Sequence, residues 1–109
     1  MSLPHGLSAE TVAKICEVFS RFPEVEKAVL YGSRAKGSPR PGSDIDLTLF
    51  GSRLGQELLG QIDDALDDLL LPYRFDLSIF ARFTHSGLID HIQRVGVAFY
   101  EKTPVEASR

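Results

Sequence analysis

Apolar residues recur along this chain at two spacings, and the switches between them mark its elements. Val12, Ile15, Cys16 and Phe19 fall three and four apart, the stripe of a helix buried along one side. Ser8 stands where an N-cap belongs, Leu7 and Val12 are placed as a hydrophobic staple, and Pro23 ends the segment. On that stripe Cys16 reads as a core residue, not a nucleophile. Residues 25–31 predict a strand ending in the apolar run Ala28-Val29-Leu30-Tyr31. Residues 44–50 predict a second. There Ile45, Leu47 and Leu49 point one way and Asp44, Asp46 and Thr48 the other. Between them Gly32-Ser33 turns the chain, Ser33 opens a short helix, and residues 37–42 form a loop rich in Gly and Pro.

The helical period returns over residues 54–70. Leu58, Leu59, Ile62, Ala65, Leu66, Leu69 and Leu70 make its apolar face. Asp63, Asp64, Asp67 and Asp68 lie mostly opposite, as a solvated face. Pro72 separates this helix from a third strand over 73–80, with Phe75, Leu77 and Ile79 on one face and Asp76 and Ser78 on the other. A last helix spans 84–95, with His85 as a possible cap, and 97–100 adds a short edge strand. This order predicts an α/β chain of the α+β type, a small mixed sheet flanked by about four helices. One domain over 1–109 is expected, with 1–6 and 102–109 as flexible tails.

Composition changes this picture little. The chain has 109 residues, 43% apolar and 25% charged, within the ordinary range of a soluble globular domain. Its one cysteine excludes an internal disulfide. No apolar run is long enough to span a membrane, and the first residues do not read as a signal peptide, so a cytoplasmic location is expected. Charge changes the picture more. The formal net charge is -3, yet Lys27, Arg34, Lys36, Arg40 and Arg53 face only Asp44 and Asp46 within residues 27–53. A local basic patch on an acidic chain suits a small anionic ligand. It argues against an extended nucleic-acid footprint.

Aspartate is disfavoured in strands, and this chain places three there. Asp44 and Asp46 share a face, about 6.5–7 Å apart along the strand. If the second and third strands pair, Asp76 joins them in one cleft. Facing carboxylates repel by about 4 kcal/mol at 4 Å and an effective dielectric near 20, so a proton or a cation must offset the cost. Mg²⁺ takes oxygen ligands and is commonly completed by substrate phosphates; two such ions can clamp an in-line phosphoryl displacement. The upstream loop supplies the counterpart. Gly32 allows close backbone approach, Ser33 offers a hydroxyl at a helix start, and Arg34 and Lys36 are cationic donors for phosphate. A P-loop is excluded, because Ser38-Pro39 stands where Lys-Ser/Thr is required. An EF-hand is excluded because Leu49 occupies the required glycine. His85 and His91 lie on different helix faces and form no metal pair.

Gly32-Ser33, followed after ten residues by Asp44-Ile45-Asp46 and later by Asp76 in a strand, resembles the nucleotidyltransferase signature of the DNA polymerase β superfamily. The short length and the GSRAKG form are most similar to its minimal members, the MNT proteins. The resemblance implies that Gly32 and Ser33 bind the triphosphate, with Arg34 and Lys36 as further contacts. Asp44 and Asp46 would bind two Mg²⁺ ions; Asp76 would bind the catalytic one and help deprotonate the acceptor. It implies ATP as substrate and a HEPN-domain protein as partner in a hetero-oligomer. AMP would pass to that partner's hydroxyl, and the chain would act as its antitoxin. The alternatives are a non-catalytic module that neutralises by contact and a small-molecule, antibiotic-type transferase.

Overall fold

The computed structural model describes residues 6–32 and 44–102. The short helix expected at Ser33, and with it Ser33, Arg34 and Lys36, lies outside the described residues. Helix α1, Ala9–Ser20, starts as its sequence requires: the Ser8 Oγ accepts from the Thr11 N–H at 3.1 Å. Leu7 is fully buried and Val12 packs on the same core, so the staple is formed. Ile15, Val18 and Phe19 carry the buried stripe. Cys16 is partly buried, its Sγ donates to the Phe99 carbonyl at 3.3 Å, and burial pushes its thiol pKa up. That is the setting of an inert structural cysteine.

Strands β1 (Lys27–Tyr31), β2 (Ile45–Phe50), β3 (Phe75–Ile79) and β4 (Val97–Glu101) form one mixed sheet in the order β3-β2-β1-β4. β1 pairs antiparallel with β2 and with β4; β2 and β3 run parallel. The parallel pair requires a crossover, supplied by helix α2, Gln56–Asp67. On the face beneath α1 and α2, Ala28, Leu30, Ile45, Leu47 and Leu49 are completely buried with Phe19, Ile62 and Leu66. The opposite face is only partly covered. A 3-10 turn, Phe80–Arg82, leads into helix α3, Ser86–Val95, which leans on β1. The chain leaves α3 at Gly96, so close to Val29 that a Cβ there would collide with it.

Most elements are shorter than the pattern suggested, while β4 runs one residue longer, to Glu101. α2 ends at Asp67, and Leu70, expected on its apolar face, is 88% exposed. Its φ of 57° shows why: the chain has left the helix and turned through the left-handed region. Asp63, Asp64, Asp67 and Asp68 are exposed, as a solvated face should be. Among the described residues there are three α-helices and one 3-10 turn; the short helix at Ser33, the other of the about four expected, lies outside them.

Gly60 lies mid-α2, where an added Cβ meets nothing within 4 Å. Glycine in a helix interior costs roughly 0.5–1 kcal/mol relative to alanine. Gly60→Ala is therefore expected to raise unfolding stability by about that amount in urea denaturation. A loss of stability would contradict the placement of Gly60 on an open helix face.

Candidate functional site

The expected pairing of the second and third strands is present, and its register builds the site. Asp46 of β2 stands directly opposite Asp76 of β3 and, on its other side, opposite Tyr31 of β1. Residues directly opposite on neighbouring strands share a face. Tyr31, Asp46 and Asp76 thus form one row across the sheet. Val29, Thr48 and Ser78 form the row below, and Lys27 and Phe50 continue it, with the Phe80 ring stacked on Phe50 at 4.5 Å. α3 and Gly96 cover this face at Val29. Asp76 is exposed and Asp46 partly so.

Asp44 lies one residue before β2 and is exposed. Alternation carried back from Asp46 puts it on the same face. The adjoining Ile45 N–H donates to the Arg74 carbonyl at 2.8 Å, so the ladder reaches this end. Among the described residues, no three of His, Cys, Asp and Glu are gathered closely enough to hold an ion between them. The residues nevertheless suit Mg²⁺. That ion needs only one or two carboxylates, keeps water ligands and takes the rest from phosphate oxygens. An aligned pair on an open face offers that donor set.

Gly32 has a φ of 82°, and an added Cβ would collide with the Asp46 Oδ2. The turn after β1 therefore runs directly against the carboxylate. A side chain is excluded there twice, by the left-handed backbone and by the space. This is the close backbone approach that the sequence suggested, and its neighbour is Asp46.

Tyr31 is the row member that sequence reasoning missed. The sequence carried part of its signal, since it alternates with Val29 and immediately precedes Gly32; the register of β1 on β2 supplies the rest. Burial pushes the Tyr31 phenol above its ordinary pKa; the Ser78 hydroxyl opposes this, and the charges of Asp76 and Asp46 add to it. Tyr31 is therefore a neutral donor at neutral pH. Below the row, Thr48 is completely buried, and neither its Oγ1 nor the Ser78 Oγ closes a hydrogen bond of good geometry.

Ion pairs among the described residues join Lys14 to Glu10, Arg21 to Glu17 and Arg94 to Asp90, and neither Asp44 nor Asp76 belongs to one. His85 serves the fold: its Nδ1 accepts from the Leu88 N–H at 3.1 Å and caps α3.

Residues 13–104 match the family "Polymerase beta, Nucleotidyltransferase". No curated protein matches the chain in sequence. Solved structures share its fold. A chain of a toxin–antitoxin with AMP-PNP is 19% identical, with 84% of this chain and 74% of that chain covered and a TM-score of 0.68. A chain of the toxin–antitoxin MntA–HepT is 17% identical over 85% and 72%, with a TM-score of 0.63. A chain from the complex of a tri-AMPylated Shewanella oneidensis HEPN toxin with an MNT antitoxin is 17% identical over 85% and 71%, at 0.62. At these identities the likeness is one of fold.

Like charges directly opposite on paired strands are destabilising by up to about 1 kcal/mol. In metal-free buffer Asp76→Asn is expected to gain stability of that order in denaturation; added Mg²⁺ is expected to stabilise the parent chain and not this variant. A less stable variant would instead assign Asp76 to a structural bond.

Proposed function

Because the chain belongs to the polymerase β nucleotidyltransferase family, we propose that it transfers AMP from ATP to a hydroxyl of a HEPN-domain partner and thereby acts as that partner's antitoxin. The observation that carries this reading is the in-register pair Asp46–Asp76 beside the Gly32 turn. The fold shared with chains from an AMP-PNP complex and from a tri-AMPylated HEPN toxin complex supports the choice of nucleotide and partner.

In this reading Asp44 and Asp46 hold two Mg²⁺ ions and Asp76 the catalytic one. When bound, the ions neutralise the facing carboxylates and draw charge from the α-phosphate. The remaining work falls to the chain. Gly32 lets the triphosphate lie against the backbone, and Ser33, Arg34 and Lys36 contact its phosphates. Asp76, on the exposed side of the pair, accepts the proton of the acceptor hydroxyl. The acceptor oxygen then bonds to the α-phosphorus, the bond to the β-phosphate oxygen breaks, and pyrophosphate leaves. Among the described residues no helix is long and apolar enough to cross a membrane.

Incubation of the purified chain with a HEPN-domain partner, ATP and Mg²⁺ is expected to add the mass of one or more adenylyl groups to the partner. Asp46→Asn should abolish the addition while keeping the circular dichroism of the parent. Full transfer by Asp46→Asn would refute the reading. Neutralisation of the partner with no adduct would make the chain a contact inhibitor, and adenylylation of small hydroxylated compounds alone would make it an antibiotic-type transferase.

A further inference from the structure

β3 ends the sheet: β2 covers one of its edges, and among the described residues no strand covers the other. The Arg74 carbonyl accepts from Ile45 of β2. By alternation Asp76 and Ser78 also turn their backbone groups toward β2, while Phe75 and Leu77 turn theirs outward. Along this open edge runs a groove of about 270 Å³ between Leu59, Gly60 and Asp63 of α2 and Phe75, Asp76 and Leu77 of β3. Gly60 leaves it wide, since a Cβ there would meet nothing.

We infer that the acceptor polypeptide docks on this edge as an added strand, with its hydroxyl-bearing residue directly opposite Asp76. The inference rests on the transfer reading of the same site and supplies its acceptor's shape. Register provides the argument. A residue paired with Asp76 shares its face, with Cβ atoms about 4.5–5.5 Å apart. It extends the row Tyr31–Asp46–Asp76 by one member and brings its hydroxyl to the carboxylate that takes the proton. Its two neighbours, opposite Phe75 and Leu77, turn to the other face and enter the groove.

The groove specifies those neighbours. Gln56, Asp63 and Asp76 make the lining more polar than apolar, and Leu59, Phe75 and Leu77 supply its apolar part; the two neighbours lie opposite Phe75 and Leu77 and meet that part, which calls for apolar side chains. Asp63 stands on the wall, its carboxyl pKa raised by partial burial and by the charges of Asp67 and Asp64 along α2. A cation placed there relieves that crowding. The acceptor segment is therefore extended, with a hydroxyl residue between two apolar ones and basic residues farther out on the groove side.

The test uses a short peptide with a central tyrosine, valine on both sides of it and arginine three places out in each direction. Residue-resolved hydrogen exchange of the full chain is expected to show protection of the Phe75 and Leu77 amides when the peptide is added. Gly60→Leu, which fills the groove, should weaken peptide binding at least tenfold and leave Mg²⁺–ATP binding unchanged; Gly60→Ala should keep both. A peptide with proline in place of both valines should not bind the parent chain. The inference is overturned by no binding of the first peptide, by protection elsewhere, or by undiminished binding of the proline peptide or of Gly60→Leu. It is also overturned if those two amides become protected with rising protein concentration and no peptide, which assigns the edge to a second copy. Peptide docking on the edge without AMP transfer to any partner would refute the transfer reading and leave the docking edge standing.

Discussion

The structure depends on one unfavourable juxtaposition: two aspartates held directly opposite each other on parallel strands. Nothing in the pairing itself favours them, since like charges so placed cost up to about 1 kcal/mol. The other side of the same strands decides the balance. Ile45, Leu47 and Leu49 are completely buried, and each such side chain contributes about 1.5–3 kcal/mol on leaving water. A slip of one residue would bring the carboxylates to the core and the leucines to solvent. The apolar alternation thus fixes the register, and the register fixes the charges.

The rest of the fold keeps that row usable. α1 and α2 pack on the face opposite the carboxylates, and α3 covers the carboxylate face at Val29. Gly32 brings the backbone of the first turn against Asp46, where any side chain would intrude. β3, which carries Asp76, is the outermost strand, so one member of the pair stands at the rim. An acceptor can reach that rim without displacing any described element. Thr48 and Ser78 form the polar row beneath the carboxylates.

Much of this was legible in the sequence because period-two alternation determines faces. Asp46 with Thr48, and Asp76 with Ser78, share a side as alternation requires, and Ser8 and His85 cap the helices that follow them. Register was less accessible. Alternation says which face Tyr31 joins only once its partner strand is known, so its place beside Asp46 emerged from the pairing. Leu70 misled for a local reason: leucine continued the helical stripe, but the backbone had already turned left-handed. The groove beside Gly60 was invisible, because a glycine on a helix announces weak helix propensity and not the empty space beside it. Ser33, Arg34 and Lys36 keep the roles that their residue types suggest, within the proposed reading.

The central claim is that divalent cations bind at the Asp46–Asp76 row with Asp44. Its most direct test is Mn²⁺ titration of the chain with nucleotide present, read by paramagnetic broadening of backbone amide signals. The account predicts that Asp44, Ile45, Asp46 and Asp76 broaden first. Broadening centred instead on Asp63, Asp64, Asp67 and Asp68 of the α2 region would contradict it.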